Sequence, residues 1–453
     1  MVTGMPAVKL DAAQIPIAVH DVLRRLAAAG GRSWLVGGTV RDLLLQTTVR
    51  DFDVATDLLP EQVAAVLPEA DLQDAHLGAC RLLGLPVPVV VTTLRAEADY
   101  TDHRRPDRVK FVRDLAIDAV RRDFTCNAIY ADAVTGTLID PLGGLADLDR
   151  RLLRAIGPAS RRLSEDPLRL LRLWRFAARL SFEVEGETLS AAQLLAPELL
   201  RLSPERVYDE LTNTFSGAGR GAALHRFVAW GFAAVLLPEV AAMAGVPQPP
   251  QYHPEGCVLT HVALVLEQVP EHDPVLAWSA LLHDIGKPPT FRVAEDRIRF
   301  DGHDVLSAQM AEVVLERLHA PKVLRRAVVE ICRDHIRMAS LLQMRPRRRE
   351  RWLRDSLFEK HLAFHRADCL GSHGDLSIHE AVTAMVAALP PIREALLTGA
   401  DVLAAGVLEG PAVGQILKAV ELELEAIDGT EPTRELALEH LRRLVATRVK
   451  TGG

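Results

Sequence analysis

The sequence predicts an α+β protein in which a small sheet in the N-terminal third is followed by helices. Between residues 33 and 155, short runs rich in β-branched and aromatic residues alternate with turns, as is typical of strands. After about residue 160, apolar residues recur with the 3.6-residue period of helices. The stretch Gly245–Pro250, rich in glycine and proline, indicates a linker within the helical part.

The individual elements follow from these two periodicities. The predicted strands are Ser33–Val36, Asp51–Ala55, Val87–Leu94, Arg108–Val112 and Leu138–Asp140. The predicted helices include Val40–Leu45 and Pro60–Val66 between the strands, followed by Leu168–Leu180, Val258–Val269, Val275–Ile285 and Ser307–Leu318. Strand signals fade where these longer helices begin, so the chain divides into a mixed head and a helical remainder.

Composition places the chain among globular proteins of several domains. It has 453 residues, of which 49% are apolar and 25% charged. No run of about 18 apolar residues predicts a membrane span, and Lys9, Asp11 and Pro16 interrupt any signal-peptide pattern. Five scattered cysteines form no Cys-x-x-Cys pair. We therefore expect a cytoplasmic protein with no membrane partner and no cysteine-rich zinc site.

Charge is distributed unevenly along the chain. The net charge of −7 argues against a nucleic-acid partner, but residues 150–179 contain nine arginines and only two acids. A second basic cluster lies at Arg345–Arg351. Such tracts can hold a phosphate backbone within an acidic protein. Solvated helix faces are the alternative, and for Arg345–Arg351 both interpretations stay open.

A strand ending at Val36 leads into Gly37 and Gly38 and then into a helix. Glycines allow the backbone to approach a triphosphate, and free N–H groups at a helix start face an anion. We expect Gly38 to lie at the nucleotide and Arg41, one helical turn on, to reach the same phosphates. A plain strand–helix turn is the alternative.

The pair Asp51 and Asp53 predicts a metal site. In a strand, residues i and i+2 share a face, so the two carboxylates stand side by side while Phe52 and Val54 face the core. Adjacent carboxylates repel each other unless a cation lies between them. Mg²⁺ prefers oxygen ligands, and two such ions about 3.5–4 Å apart activate an attacking hydroxyl and stabilise leaving pyrophosphate. An exposed strand edge is the alternative.

Further segments in chain order carry a family resemblance. They are Trp34–Asp42, Asp51–Val54, Thr93–Glu97 with Tyr100–Pro106, Arg121–Ala128, Asp140–Gly144 with Asp147–Leu148, Glu165–Arg169, and Ser203–Arg206 with Glu210. Together they resemble the class II tRNA nucleotidyltransferases, the bacterial CCA-adding and poly(A) polymerase family. The resemblance covers roughly residues 33–215. It implies a polymerase-β-like head, Mg²⁺ as cofactor, and CTP, ATP and the tRNA 3′ end as partners.

The resemblance also assigns base selection to Asp166 and Arg169. We expect a helix that begins at Glu165 with Ser164 as its cap, so that Asp166 and Arg169, at i and i+3, share a face. A carboxylate accepts from an amino group and a guanidinium donates in a fixed fork. Cytosine and adenine present an amino group beside a ring nitrogen acceptor, whereas uracil and guanine present a carbonyl beside an N–H. An ordinary surface ion pair is the alternative.

Three more arginines complete the expected nucleotide site. Arg172 and Arg175 continue the three-residue spacing and would reach the base or the phosphates. By resemblance, Arg122 contacts the triphosphate or the sugar.

A second set of metal-binding residue types lies downstream. It runs in the order His261, His283, Asp284, His303, His335 and Asp368, and it resembles an HD-type phosphohydrolase domain over about residues 255–370. The resemblance implies a first ion held by His261, His283, Asp284 and Asp368, with His303 and His335 binding a second ion or a phosphate. Imidazole and carboxylate ligands suit Mn²⁺, Ni²⁺ or Co²⁺. Phosphate-ester hydrolysis and a purely structural RNA scaffold both stay open.

The resemblance predicts four parts: a catalytic head (1–155), a helical neck and body (156–250), an HD domain (251–380) and a helical tail (381–453). We expect a tRNA 3′-terminal nucleotidyltransferase that adds CMP and AMP. The loop Glu97–Pro106 predicts incorporation of AMP. Two variants of the activity then remain: addition of the complete CCA sequence, or addition of the final A only. The alternatives are an HD phosphohydrolase with a nucleotide-sensing head and a non-catalytic RNA-binding module.

Overall fold

The computed structural model describes residues 9–98, 108–251, 253–295, 297–390, 396–425, 427 and 432–451. The first strands are β1 (Ser33–Val36), β2 (Phe52–Thr56), β3 (Ala70–Asp71), β4 (Ala79–Leu82), β5 (Val89–Thr93), β6 (Arg95–Ala98), β7 (Arg108–Phe111), β8 (Tyr130–Ala131) and β9 (Leu138–Ile139). The accompanying helices are α1 (Ile17–Ala28), α2 (Gly38–Leu44), α3 (Pro60–Val66), α4 (Leu115–Val120) and α5 (Gly144–Asp149).

Seven of these strands form one sheet in the order β3-β4-β5-β2-β1-β8-β9. The strand β2 runs parallel to β5 and antiparallel to β1, so it lies in the middle of the sheet. Its Phe52 and Val54 are buried on one face. The strands β6 and β7 form a separate antiparallel pair. The loop predicted at Glu97–Pro106 begins within β6, and its residues 99–106 lie outside the described residues.

The following segment consists of helices packed around a buried tryptophan. Its elements are α6 (Ala159–Glu165), α7 (Leu168–Arg179), α8 (Gly186–Leu194), α9 (Pro204–Phe215), α10 (Arg220–Ala229), α11 (Phe232–Leu236) and α12 (Pro238–Ala241), with the short parallel strands β10 (Leu152–Leu153) and β11 (Glu183–Val184). The ring of Trp174 lies 4.7 Å from Phe227 and 5.3 Å from Phe215. Its indole N–H donates to the carbonyl of Ala223 at 2.7 Å. This core fixes the orientation of α7.

The C-terminal half is helical as well. Its elements are α13 (Val258–Gln268), α14 (Pro274–Leu282), α15 (Lys287–Thr290), α16 (His303–Arg317), α17 (Lys322–Asp334), α18 (Pro346–Leu353), α19 (Phe358–Leu370), α20 (Ser377–Ala387), α21 (Gly399–Ala404), α22 (Pro411–Glu425) and α23 (Arg434–Thr451), with the hairpin β12 (Arg292–Val293) and β13 (Ile298–Arg299). The predicted linker Gly245–Pro250 lies between α12 and α13. No helix within the described ranges is long and apolar enough to cross a membrane.

Part of the second basic cluster serves the fold. In α18, Arg349 donates to the carbonyl of Leu342 at 3.1 Å, and Arg347 donates to the carbonyl of Leu424. These two side chains therefore connect α18 to neighbouring backbone, which favours the structural interpretation for them.

The prediction that a helix begins at Glu165 is wrong, because the arginine-rich helix α7 begins at Leu168. Ser164 lies inside α6, and Asp166 and Pro167 separate α6 from α7. Proline disfavours helical backbone in the residue before it, and Asp166 accordingly has φ −142° and ψ 105°. The Asp166 carboxylate accepts a hydrogen bond from the Leu168 N–H at 3.0 Å. Asp166, rather than Ser164, therefore caps the arginine-rich helix.

Candidate active site and metal centre

The glycine turn after β1 lies against Asp53 and Arg122. Gly37 has φ +70°, in the left-handed region that favours glycine. A Cβ added at Gly37 would lie 3.3 Å from Nη1 of Arg122 and 3.4 Å from Oδ2 of Asp53. The next residue, Gly38, begins α2. A bare backbone at this turn therefore leaves room beside the carboxylate and the guanidinium.

The hydroxyl of Thr39 connects the turn to β2. It accepts from the Asp53 N–H at 2.7 Å and donates to the carbonyl of Asp51 at 3.2 Å. One side chain of α2 thus fixes the backbone on both sides of Phe52, and with it the positions from which the two carboxylates project.

Asp51 is exposed and Asp53 is half-buried on the face of β2 opposite Phe52 and Val54. Burial and the charge of Asp51 raise the pKa of Asp53 to about 6, although the nearby Arg122 acts in the opposite direction. A buried carboxylate beside a second one is unfavourable in the ionised form without a cation. The donor set is two carboxylates, which fits a hard divalent ion.

Arg122 is held beside this pair by Asp118 and Tyr130. Its Nη2 donates to Oδ2 of Asp118 at 3.2 Å, and its guanidinium lies 5.4 Å from the centre of the Tyr130 ring. Burial would lower the pKa of Arg122, but the charge of Asp118 raises it above its usual value. Arg122 therefore remains a fixed positive charge beside Asp53.

The helix α7 presents arginines toward the head. Arg172 donates to Asp123 at 2.9 Å, and Arg175 donates to Glu210 at 2.6 Å. Both guanidinium groups lie near the Phe176 ring, at 5.2 and 4.8 Å from its centre. These contacts pre-order two of the predicted nucleotide-binding cations.

Arg41 lies on the same aromatic ring but is buried. Its guanidinium is 4.8 Å from the centre of the Phe176 ring, and it donates to Asp42 at 2.8 Å and to Asn127 at 2.5 Å. Asp42 in turn accepts from Arg179 of α7 at 2.7 Å. The structure therefore places Arg41 in a network that joins α2 to α7, beneath the glycine turn. Its predicted contact with phosphate stays a prediction.

Asp166 and Arg169 have different hydrogen-bond partners in the structure, and neither partner was predicted from the sequence. Asp166 accepts from Arg206 of α9 at 3.2 Å. The buried Arg169 donates to Glu165 at 2.7 Å and to the carbonyl of Arg162 at 2.7 Å. Sequence reasoning placed Arg206 in a family-like segment without giving it a function. The structure indicates that it orients the Asp166 carboxylate.

The second cluster is organised around a close helix contact at Gly286. A Cβ at this position would lie 2.5 Å from the carbonyl oxygen of His303 and 2.8 Å from the Ser307 nitrogen. The Gly286 N–H donates to the Ser307 hydroxyl at 2.9 Å. Glycine after the His283-Asp284 pair therefore lets the N-terminus of α16, which carries His303, pack against that pair.

Three of the four histidines are oriented by a backbone carbonyl from the preceding turn of the chain. Each Nδ1–H donates to the carbonyl three residues earlier: His283 to Ala280 at 3.0 Å, His303 to Phe300 at 2.8 Å and His335 to Cys332 at 2.7 Å. A carbonyl can only accept, so the proton is on Nδ1 and the Nε2 lone pair is free to bind a metal. The Nε2 atoms converge, with His261 3.2 Å from His283 and His303 3.3 Å from His335.

Asp284 lies between the two histidine pairs. Its Oδ2 is 3.2 Å from Nε2 of His283, and its Oδ1 is 3.5 Å from Nε2 of His303. Both oxygens are buried, and neither has a hydrogen-bond partner among the described residues, although the Lys287 ammonium lies 2.7 Å from Oδ2. A buried carboxylate that faces imidazole lone pairs on both sides fits divalent ions.

The structure brings all six predicted ligands together, in two groups. His261 and His283 form a possible ligand group with Asp368, whose Oδ1 is 3.1 Å from His261 Nε2. His303 and His335 form the other group with Asp284. Asp284 therefore faces both groups rather than the first alone, and a cavity of about 490 Å³ opens onto them. Arg297, Arg299 and Lys287 also line this cavity.

Glu255 is a neighbour of the centre that sequence reasoning missed. Its Oε1 lies 3.0 Å from Nδ1 of His261 and 2.9 Å from Nδ1 of His253. Although burial acts in the opposite direction, the carboxylates of Asp368 and Glu255 raise the pKa of His261 to about 9. No spacing rule predicts this contact, because Glu255 precedes α13 in an irregular segment.

Comparison with protein-family models gives three matches in chain order. Residues 33–154 match the poly A polymerase head domain, residues 181–243 the probable RNA and SrmB-binding site of polymerase A, and residues 256–370 the HD domain. The two candidate sites thus lie in the first and third of these regions. The segment with Asp166 and Arg169 lies between the first two.

Relatives and solved structures agree with these matches. The Multifunctional CCA protein of Azoarcus sp. (strain BH72) is 38% identical over 321 residues, which are 67% of this chain and 73% of that protein. The CCA-adding enzyme of Geobacillus thermodenitrificans (strain NG80-2) is 40% identical over 216 residues, 48% of this chain and 53% of that protein. The chain thus spans about half the length of this second relative.

Among structures, the Bacillus stearothermophilus CCA-adding enzyme in complex with CTP has a TM-score of 0.70 and 26% identity, covering 96% of this chain and 100% of that one. The Thermotoga maritima CCA-adding enzyme complexed with tRNA has a TM-score of 0.56 and 18% identity, covering 97% and 100%, and shows likeness of fold alone. The predicted fold class, a small-sheet head before a helical body and HD domain, is confirmed. The chain belongs to the family of CCA-adding tRNA nucleotidyltransferases.

Proposed function

We propose that this chain adds CMP and AMP from CTP and ATP to the 3′ end of tRNA, without a nucleic-acid template. The observation that carries the proposal is the position of Asp51 and Asp53. Asp53 lies beside the bare turn at Gly37 and is close to the charges of Asp51, Arg122 and Arg172 of α7. An HD phosphohydrolase with a nucleotide-sensing head is a weaker alternative, because a sensor does not require paired carboxylates poised for a cation.

The residues of the head divide the reaction between them. The tRNA 3′-hydroxyl attacks the α-phosphorus, a new O–P bond forms, and the bond to the β-phosphate oxygen breaks, so pyrophosphate leaves. Asp51 and Asp53 would hold Mg²⁺, which supplies Lewis-acid stabilisation of the developing charge. The backbone at Gly38 and the side chain of Arg122 bind the triphosphate. Arg172 and Arg175 supply further positive charge from the facing helix.

Selection of the base is assigned to Asp166 and Arg169. The Asp166 carboxylate accepts from the exocyclic amino group of cytosine or adenine, and Arg169 donates to the adjacent ring nitrogen. Arg206 and Glu165 hold these two side chains in place. Uracil and guanine present a carbonyl in place of the amino group and an N–H in place of the ring acceptor, so the carboxylate would face an acceptor and the guanidinium a donor.

Three tRNA acceptors test the proposal directly. Transcripts ending at the discriminator base, at C and at CC are each offered labelled CTP or ATP. We expect C to be added to the first two and A to the third. Addition of A alone would assign the chain to the A-adding variant. Failure to add A to any acceptor would contradict the prediction from Glu97–Pro106, and failure to add either nucleotide would contradict the proposal.

We further propose that the HD centre binds Mn²⁺, Ni²⁺ or Co²⁺ and hydrolyses a phosphate ester, such as a 2′,3′-cyclic phosphate or a phosphomonoester. The supporting observation is the buried Asp284 carboxylate, whose two oxygens lie 3.2 Å from His283 Nε2 and 3.5 Å from His303 Nε2. The bound ions would supply an activated water. Lys287, Arg297 and Arg299 line the cavity and can neutralise the phosphate.

Substitution of Glu255 by glutamine is expected to weaken metal binding at the HD centre about 10- to 100-fold, because the carboxylate orients His261 and increases its basicity. Titration of Mn²⁺ or Ni²⁺ into the metal-free chain measures the affinity. The matched control is Glu271→Gln, which makes the same change at an exposed acid whose Oε2 lies 3.7 Å from Nε2 of His272. Equal affinities in the two variants would contradict the assignment.

A further inference from the structure

A third group of metal-binding side chains lies on the other side of the helix end that carries His335. Glu330 and Asp334 are separated by one turn of α17, and His361 faces them from α19. One ligand atom from each of the three residues lies within 4.8 Å of the other two. We call this group the α17–α19 cluster. It shares no residue with the HD centre.

The central distance suits two ligands of one ion better than a hydrogen bond. Nε2 of His361 lies 3.6 Å from Oε1 of Glu330. This separation is too long for a hydrogen bond. Ligands placed about 2.1 Å from a tetrahedral ion are about 3.4 Å apart. The observed spacing therefore needs only a small adjustment to accommodate an ion.

His361 supplies a second, independent observation. Only 3% of this residue is exposed, and its Nε2 has no hydrogen-bond partner among the described residues. A buried polar nitrogen without a partner is unfavourable, and a metal–nitrogen bond would satisfy it. Its ring is packed edge-on against Trp352, 5.5 Å between centres, which fixes its direction.

The surroundings allow an ion to enter. A cavity of about 530 Å³ between α17, α18 and α22 is lined by Glu330 and Asp334. The basic side chains Arg337, Arg348, Arg351 and Lys418 also line this cavity, and Nη1 of Arg337 is 3.3 Å from Asp334 Oδ2. The Arg337 guanidinium also lies 4.1 Å from the centre of the Trp352 ring. Among the described residues, Glu330 has His361 as its ion-pair partner. The imidazole and the Glu330 carboxylate are thus available as ligands.

We propose that the α17–α19 cluster binds one divalent transition-metal ion, of the class of Zn²⁺, Co²⁺ or Ni²⁺, at a site separate from the HD centre. One imidazole and two carboxylates match the ligand preferences of these ions, and the cavity leaves a position for water. Asp334 immediately precedes His335. An ion here would therefore join α17 to α19 and fix the helix end from which an HD ligand projects.

Zinc titration of the full chain tests the proposal. Glu330→Gln is compared with Glu316→Gln, an exposed glutamate on α16 that ion-pairs with Arg325. Both changes are made in the wild type and in an Asp284→Asn background, so that zinc at the HD centre is recognised separately. In both backgrounds we expect Glu330→Gln to lose about one equivalent of tightly bound zinc, or at least about tenfold in affinity, and Glu316→Gln to lose none.

His361→Gln should reproduce the loss, and nucleotide addition by each variant verifies that the chain is folded. If His361→Gln does not fold, the comparison of Glu330→Gln with Glu316→Gln decides alone. Equal zinc content and affinity in those two variants, in either background, would overturn the proposal.

Discussion

Replacing Asp53 by asparagine is expected to lower nucleotide addition at least about a thousandfold, because an amide cannot replace a carboxylate as a bridge to Mg²⁺. The fold should survive. The raised pKa of Asp53, about 6, means that the folded chain holds this proton more tightly than the unfolded chain. Ionised Asp53 therefore costs stability near pH 7, and the neutral amide removes that cost. Labelled CTP and ATP incorporation measures the rate.

The matched control is Asp149→Asn, which makes the same change at an exposed acid at the end of α5. It should leave incorporation unchanged. Thermal unfolding should show that Asp53→Asn is at least as stable as the unsubstituted chain. Incorporation within about tenfold of the control would show that Asp53 is not a metal ligand. A large loss of stability would mean that the carboxylate serves the fold instead.

The centre of the sheet was predictable because its strands are long enough to show a pattern. The prediction for β1 matches the structure residue for residue, and β2 differs from its prediction by one residue at each end. The strands β3, β4 and β8 of this sheet were missed. β3 and β8 have only two residues each, which is too short for an alternation of buried and exposed side chains to appear. β4 has four residues, Ala-Cys-Arg-Leu, none of which is β-branched or aromatic.

The nucleotide-selecting segment shows a different limit. The sequence placed Asp166 and Arg169 on one helix, but Pro167 ends α6 and the two residues contact separate partners. A proline within a helical pattern is a local signal, and it was outweighed by the periodicity on both sides. The contact with Arg206 has no local signal, because it spans 40 residues of sequence.

The HD ligands could be named from their order, but not their division into groups. Which histidine pair Asp284 faces depends on how closely α16 packs on Gly286, and this is a tertiary contact. The same holds for Glu255, which acts on His261 through packing rather than spacing. Residue types and their order therefore identify candidate ligands, whereas their grouping around Asp284 and the contact with Glu255 follow only from the folded structure.

Because Asp284 faces both histidine pairs, we expect its substitution to reduce hydrolysis more than substitution of any other residue of the HD centre. Asparagine offers one acceptor oxygen and one donor NH₂, so Asp284→Asn can serve only one of the two histidine pairs. It also removes the charge beside the Lys287 ammonium, 2.7 Å away. We expect hydrolysis of a 2′,3′-cyclic nucleotide with Mn²⁺, Ni²⁺ or Co²⁺ to fall by more than about a hundredfold, exceeding the effect of an outer contact such as Glu255.

Nucleotide addition provides the internal reference, because Asp53 and Asp284 belong to separate centres. Asp284→Asn should retain addition, just as Asp53→Asn should retain hydrolysis. The control is Asp304→Asn, an acid that lines the same cavity but belongs to neither ligand group of described residues. If Asp304→Asn lost as much hydrolysis as Asp284→Asn, the effect would come from the charge of the cavity. If Asp284→Asn kept its metal and its hydrolysis, the proposal that Asp284 serves both histidine pairs would be wrong. The two pairs would then have to act independently.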